Sequence, residues 1–282
     1  MEHTIQLKGK ERTDLTILSL IKSGLKDARH FQILYLGLFI IYGISFLRWD
    51  LAPWRIGLII TTVLVTQMLF VAWKGGSLSS WKSALITGLG LSILMRANEP
   101  MTLVLGAFLA IAIKFVITHQ GKHIFNPANF GIVAVMLITG DAWVSPGQWG
   151  SSVVLVYFIG AAALMVLLKV GRIDTSLMFI ATVFFLEYLR TIVYLGWDWD
   201  VLFHKFSSGS FLLFSFFMIT DPVTTPKNFW ARMIWACAIG VLSFILSQWF
   251  FIHTAPIYAL VIISPLTVLF NHFMKGKTFQ WV

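Results

Sequence analysis

The stretch FFMITDPVTTPKN, from Phe216 to Asn228, decides how this chain is read. An apolar run enters it and then meets one aspartate, two prolines and three threonines within the seven residues Thr220 to Pro226. Proline removes a backbone donor and its ring clashes with the preceding turn, so a helix that arrives here stops. Lipid cannot satisfy the backbone groups that such a break exposes; they have to be buried in protein or face water or a ligand. A second stretch, HIFNPANFG (His123–Gly131), reads the same way from the opposite direction, with Asn126 and Pro127 opening an apolar run. Taken singly, each motif is an ordinary helix start, with Asn or Asp as cap and proline in the first turn. Two of them on one side of a membrane weigh toward a shared binding site.

The composition supplies the membrane. The chain has 282 residues, 58% of them hydrophobic and 12% charged, and a mean hydropathy of +0.83. Too little polar surface remains to cover a water-soluble domain. The net charge of +9 does not point to nucleic acid, because lysine and arginine in a polytopic chain mark cytoplasmic loops. Cys237 is the only cysteine and lies in an apolar run, which argues against a disulfide or a thiolate metal site. His119 and His123 stand alone, without a third candidate ligand nearby, and read as polar helix-end residues. The first thirty residues lack an apolar core followed by a small-residue cleavage site, so no cleaved leader is expected. Glu2 excludes a myristoylation motif.

An all-α polytopic membrane protein with ten transmembrane helices follows. The apolar segments lie near residues 31–47, 56–73, 83–95, 101–118, 126–140, 152–168, 174–194, 209–220, 229–250 and 254–272. The third, fifth and eighth are short for a span of roughly 20 residues, and Pro256 and Pro265 interrupt the tenth. Residues 1–30 are expected as a cytoplasmic segment whose stretch Asp14–Phe31 forms an amphipathic surface helix. Residues 31–282 form one membrane domain. With the N-terminus inside, Arg29, Lys74, Lys82, Lys122, Lys169, Arg172, Lys227, Arg232, Lys275 and Lys277 fall inside with the N-terminal basic residues. Arg48, Arg55, Arg96, Arg190 and Lys205 fall outside, and Lys114 lies within the fourth helix, close enough to the inner face to snorkel. This bias places both termini in the cytoplasm, in the cell's inner membrane.

The ten segments divide into two sets of five: repeat one at 31–140, repeat two at 152–272, and a short cytoplasmic tail at 273–282. Pro100 matches Pro222, and Pro127 matches Pro256, in position within their halves. Five helices per repeat invert the second copy, and broken helices at matching places in inverted repeats point to binding sites. Two sites result. The inner one gathers Asn126, Pro127, Asn129, Asp221, Pro222, Thr224 and Thr225. The outer one gathers the break LMRANEPMT (Leu94–Thr102), with Arg96 and Asn98, the stretch HTAPIYAL (His253–Leu260) and the loop containing Gly150, Ser151 and Ser152. The spacing of Asn126 and Asn129 lets both amides face one side of a turn, and an amide presents both donor and acceptor to a heteroaromatic edge.

GKHIFNPANFG followed about ninety residues later by FFMITDPVTTP, with SALITGLGLSIL (Ser83–Leu94) before them, resembles one family of membrane proteins. It comprises the RnfD-type proteins of the Rnf complex and their NqrB-type counterparts in the sodium-pumping NADH:quinone reductase. The resemblance runs from about Phe31 to the C-terminus. DARHFQILYLGLFIIYG (Asp27–Gly43) is similar to stand-alone relatives such as the UnbU proteins of enediyne gene clusters. The resemblance implies a flavin protein that passes electrons through the membrane within an ion-pumping complex. It implies a noncovalent riboflavin or FMN at the inner site, contacted by Asn126, Asn129, Asp221 and Thr225. It also implies FMN esterified to an outer threonine. Ser152 stands at that place here, with Ser151 beside it in PGQWGSSVV. A serine hydroxyl could form the same ester, but the degraded motif argues against covalent FMN. Partners implied are membrane lipid, redox proteins or a quinone, and the other proteins of such a complex.

Glu187 lies within the seventh segment with Arg190 three residues on. An intramembrane carboxylate is a functional candidate by default, here for cation coupling together with Asp221. The bland alternative is a local pair with Arg190. Arg96 and Glu99 flank the third break and could pair or meet an anionic ligand; Asp198 and Asp200 read as loop residues. No phosphate loop, dinucleotide fingerprint or nucleophile elbow occurs, so the chain has no NADH site of its own. The same architecture suits a secondary transporter or channel, which stands as the alternative to electron transfer.

Overall fold

The computed structural model describes residues 27–145 and 170–277, together with residues 168 and 279. Gly150, Ser151, Ser152 and nearly all of the sixth apolar segment lie outside the described residues, as does most of the amphipathic N-terminal segment. The described elements are α1 (Ala28–Ser45), α2 (Pro53–Lys74), α3 (Trp81–Leu94), β1 (Met95–Ala97), α4 (Pro100–Val116), β2 (Thr118–His119), β3 (Lys122–His123), α5 (Pro127–Thr139) and β4 (Ala142–Val144). They continue with α6 (Ile173–Tyr188), α7 (Trp199–Phe206), α8 (Gly209–Leu213), α9 (Phe229–Gln248), α10 (Ala255–Ile263) and α11 (Leu266–Phe273).

Proline and asparagine set the boundaries. Pro53, Pro100 and Pro127 occupy the first turns of their helices, where the missing N–H costs nothing. Asn228 caps α9 by accepting from the backbone N–H groups of Trp230 and Ala231. At the far ends Gly75 and Gly140 take positive φ, which releases the chain from its helix. On α2, Val65, Leu69 and Trp73 are exposed at helical spacing while Ile59, Val63 and Gln67 are buried. An exposed apolar stripe of this kind suits lipid.

Among the described residues three helices are long and apolar enough to cross a membrane: Pro53–Lys74, Phe229–Gln248, and α6 continued through a wider π turn to Tyr194. The number rises to five if each bent pair counts as one span: α7 with the helix Gly209–Met218, bent by 55°, and α10 with α11, bent by 48° around Pro265. Helices α3, α4 and α5, of 14, 17 and 13 residues, rise about 1.5 Å per residue and fall short of a hydrocarbon core about 30 Å thick.

The described residues are mostly helical, as expected, with one addition. Two small antiparallel strand pairs occur, β1 with β4 and β2 with β3. The reason lies in the breaks themselves. Where a helix stops inside the bundle, its freed N–H and C=O groups need partners, and the break at Met95–Ala97 takes them from Ala142–Val144. His119 and His123 accordingly lie on a hairpin and not at a helix end. Asp198 is a loop residue, extended and just before α7, whereas Asp200 is not loop but sits in the first turn of that helix.

Side-chain contacts fix the direction of each helix. Arg55 at the start of α2 donates to the carbonyls of Ala97 and Asn98, while Lys74 at its end donates to Phe115. Helices α2 and α4 therefore run parallel. Asp174 at the start of α6 pairs with Arg232 at the start of α9, and Glu187 near the end of α6 meets Gln248 at the end of α9. These two also run parallel. One end of the bundle carries Lys74, Lys82, Lys122, Arg172, Lys227 and Arg232, and the opposite end carries Arg55, Arg96 and Lys205. Helices α4 and α5 pack with little between them, because Gly131 abuts Gly106 and Ala110. Small residues at such a crossing let helix backbones approach in lipid.

Candidate functional site

The two proline motifs meet. Asn126 caps α5, its side-chain oxygen accepting from the Asn129 N–H at 3.0 Å. Its amide nitrogen donates to the carbonyl of Met218, at the last turn before the second motif, at 3.2 Å. That turn is π-helical, with Ile219 N–H reaching back to Phe214, so its carbonyls are splayed. Asp221 then folds the chain. Its carboxylate accepts from Val223 N–H at 3.0 Å, and its backbone carbonyl accepts from the N–H groups of Thr224 and Thr225. The other carboxylate oxygen faces His123 Nε2 at 3.7 Å. Residues about ninety apart in sequence thus form one polar cluster.

The amides are less free than their spacing suggested. Asn129 donates to the carbonyl of Ile257, in the first turn of α10, at 2.9 Å. This bond ties the starts of α5 and α10, which enter the bundle from opposite ends and meet inside it. Only the Asn129 side-chain oxygen is left, buried and without a partner among the described residues. Asn126 and Asn129 therefore act first as struts. Thr225 accepts from Arg172 Nε at 2.9 Å, a contact the motif did not announce because Arg172 lies fifty-three residues away. Burial, followed by the charge of nearby Arg232, lowers the Arg172 guanidinium to about 10, and it stays charged at neutral pH.

Two clefts flank this cluster and share His123, Pro222 and Val223. The first, about 140 Å³, is walled by apolar residues of α1, α3 and α8 and by the polar side chains of Arg29, Gln32, Ser83, Thr87, His123, Asn126 and Asp221. Gly90 lines it, and a side chain there would meet only Ala128, at 3.9 Å. The second cleft measures about 190 Å³. Neither alone reaches the roughly 300 Å³ at which small-molecule pockets begin. By chemistry the first cleft fits a flat heteroaromatic ring: an apolar wall, polar groups along it and a missing side chain at Gly90. By volume, a ring of flavin size has to move the residues that the two clefts share.

Behind the first cleft lies a polar cluster that was not singled out from sequence. Lys114 lies in the last turn of α4; its Nζ donates to Gln67 at 2.8 Å and to Ser83 at 3.3 Å, and Ser83 lines the cleft. The signal was the lysine's place in an apolar helix. At the mouth, Asp27 caps α1 and binds both Arg29 and Lys82. Burial pushes the Asp27 carboxyl up, but the hydrogen bonds from Arg29 and Lys82 outweigh it and hold the group well below the usual carboxylate range.

At the opposite end a cavity of about 670 Å³ is lined by Glu187, His204, Lys205, Ser208, Ser210 and His253, among others. Glu187 does not take Arg190 as its partner. It lies 2% exposed, accepts from Lys205 at 2.6 Å and from Gln248 at 2.9 and 3.1 Å. The π turn at Leu189–Tyr194 follows it directly. The serine-rich interruption HKFSSGSF (His204–Phe211) was the sequence signal for this cavity. Arg96 does not pair with Glu99; it donates to the carbonyls of Ser92 and Met95. Asn98 and the Glu99 N–H both donate to Asp141, which holds that carboxyl below its ordinary value, by hydrogen bonds from Thr102, Glu99 and Asn98. Arg96 and Asn98 line a separate cavity of about 460 Å³ with Asp50 and Arg55. Glu187 and Asp221, considered together for cation coupling, lie at opposite ends.

Among the described residues no three metal-ligating side chains converge. A family model described as the NQR2, RnfD, RnfE family matches residues 134–280. The chain is 25% identical over 250 aligned positions to a protein of Clostridium ljungdahlii named as the D subunit of a proton-translocating ferredoxin:NAD(+) oxidoreductase complex, covering 70% of this chain and 74% of that one. Two proteins named as D subunits of an ion-translocating oxidoreductase complex match shorter pieces. The Stutzerimonas stutzeri protein is 32% identical over 78 positions, 28% of this chain and 22% of its own length. The Shewanella denitrificans protein is 27% identical over 125 positions, 44% and 35%.

Proposed function

This chain belongs to the NQR2, RnfD, RnfE family, and we propose from that premise that it is a membrane component of an ion-translocating oxidoreductase that carries electrons on a flavin. Its relatives are named as subunits of such complexes, so other subunits, a redox protein or a quinone, and the surrounding lipid are its partners in this reading. The proposed setting is the inner membrane, ten helices in two inverted sets of five, with the lysine-rich end and both termini in the cytoplasm. The observation that carries the reading is the convergence of Asn126, Met218, Asp221 and His123 around an apolar slot opened by Gly90.

In this proposal the slot holds riboflavin or FMN noncovalently. When bound, the flavin supplies one- or two-electron transfer at a potential set by its surroundings. The chain's own residues do the rest. Thr87, Asn126 and Asp221 offer polar groups at the ring's edge, and the apolar wall excludes water. Lys114, behind Ser83, places a positive charge near the slot, which favours negative charge on a reduced ring. Ser152 carries no covalent FMN in this reading.

The test is the visible spectrum of the purified protein before and after acid precipitation. Flavin absorbance released into the supernatant supports the proposal. Absorbance that stays with the pellet overturns the noncovalent assignment. A colourless protein, still colourless after incubation with riboflavin and FMN, refutes flavin binding.

One observation favours a second reading, transport. The 670 Å³ cavity with its buried Glu187 suits a coupled cation or solute. Substrate flux into vesicles that contain this chain alone, without redox partners, would select it.

A further inference from the structure

We infer that the second cleft at the lysine-rich end is a binding site for a phosphate group, built from Lys122, Lys227, Thr225, Thr267 and Asn271. The inference does not depend on a flavin in the neighbouring slot.

The donors left over in the cleft carry it. Thr225 accepts from Arg172, so its own hydroxyl proton is free to be donated. Thr267 is buried, and its hydroxyl has no partner among the described residues. Asn271 spends its oxygen on the Lys227 backbone N–H at 2.8 Å, which turns its amide nitrogen into the available group. Lys122 donates one of its three protons, to the Phe279 carbonyl at 3.2 Å. The carboxylates of the neighbourhood lie outside the lining and are engaged elsewhere. Asp174 is taken by Arg232, and Asp221 faces His123 and the Val223 N–H. The cleft therefore presents hydroxyl, amide and ammonium donors from three separate chain segments, and no carboxylate among the described residues lines it. A tetrahedral oxyanion with several acceptor oxygens is the complement of such a set.

Charge agrees. Burial lowers the Lys122 ammonium below its ordinary value, and the positive charges of Lys227 and Arg172 lower it further. Like charges gathered at one cleft repel one another, and a bound anion offsets that repulsion. Membrane topology explains why lysines collect at this end. It does not explain why a buried, unpartnered threonine and a freed amide converge on the same 190 Å³. Basic pockets between helices on the cytoplasmic side also bind lipid head groups. The phosphate can thus belong to an anionic lipid, to a phosphorylated small molecule or to free phosphate.

The experiment uses the full chain in a phosphate-free maltoside detergent. Inorganic phosphate, FMN, riboflavin and phosphatidylglycerol are titrated separately, and thermal stabilisation is read against sodium chloride of equal ionic strength. At least one phosphate-bearing probe is expected to bind, at least tenfold more weakly to the Lys122→Gln, Lys227→Gln double variant. FMN binding at least tenfold tighter than riboflavin assigns the phosphate to a small molecule. Phosphatidylglycerol alone stabilising the protein assigns it to lipid, and inorganic phosphate binding as well as FMN assigns it to the free ion. Equal binding by the double variant, or no phosphate-bearing probe acting beyond the chloride control, overturns the inference. If the double variant does not stay monodisperse, displacement decides: excess inorganic phosphate must release the bound probe from the unaltered protein where chloride does not. A colourless protein that still binds these probes would remove the flavin reading and leave this one standing.

Discussion

The crossing of α4 and α5 gives a prediction whose sign is set by space alone. A Cβ built on Gly131 would lie 2.6 Å from the Cβ of Ala110, 2.6 Å from the carbonyl oxygen of Gly106 and 3.1 Å from the Ala110 Cα. Carbon atoms rest at about 3.5–4.0 Å, so Gly131→Ala has to push the two helices roughly 1 Å apart. None of the obstacles is the loose end of a side chain. Overpacking of this kind costs about 1–3 kcal/mol, against a helix-propensity gain for alanine over glycine of about 1 kcal/mol. The net expectation is a loss of up to about 2 kcal/mol. At about 2–4 °C per kcal/mol for a chain of this size, the melting midpoint falls by several degrees. Gly37 on α1 is the control, since a Cβ there meets nothing within 4 Å. Gly37→Ala keeps only the propensity term and gains up to about 1 kcal/mol. The assay is thermal unfolding of both variants in detergent at one heating rate, because irreversible unfolding makes the midpoint depend on rate. Gly131→Ala melting at or above the unaltered protein would refute the close helix contact. The contact matters to the site, because parting α4 from α5 shifts Asn126 and Asn129, which hold the two broken helices together.

Three further outcomes are expected. Asn126→Ala loses the cap of α5 and the tie to Met218, and its midpoint should fall by an amount corresponding to about 1–2 kcal/mol; Asn126→Asp keeps the capping acceptor but not the donor, and should fall between the two. Glu187→Ala leaves Gln248 without its acceptor and should cost about 1–3 kcal/mol, and Lys205→Met, which strips the buried Glu187 carboxylate of its cation, should cost about 3–5 kcal/mol; a loss under about 1 kcal/mol for Lys205→Met would contradict the buried network. Asp27, whose carboxyl is depressed in the folded chain, contributes stability that is complete above its unfolded value of about 4 and is lost as pH falls through the folded value. Asp27→Asn should therefore melt lower than the unaltered protein at pH 7, with the gap closing only in acid below about pH 4; a gap that closes nearer neutrality would contradict the Asp27–Arg29–Lys82 arrangement.

The sequence by itself determined that this is an apolar helical chain with breaks at Asn126–Pro127 and Asp221–Pro222. Proline chemistry and the cost of unsatisfied backbone in lipid are local facts, legible at each position. It also placed the lysines of Lys74, Lys122 and Lys227 apart from Arg55 and Lys205, because charge asymmetry is written along the chain. Only the tertiary structure decided which groups the breaks use. Asn129 is taken by Ile257 and Thr225 by Arg172, and Glu187 prefers Lys205 and Gln248 to the neighbouring Arg190. A buried polar group bonds to whatever the packing brings within about 3 Å, and sequence distance has no bearing on that choice. The strand pairs have the same origin: a break fixes that backbone groups must find partners, and only packing brings Met95–Ala97 alongside Ala142–Val144 to supply them.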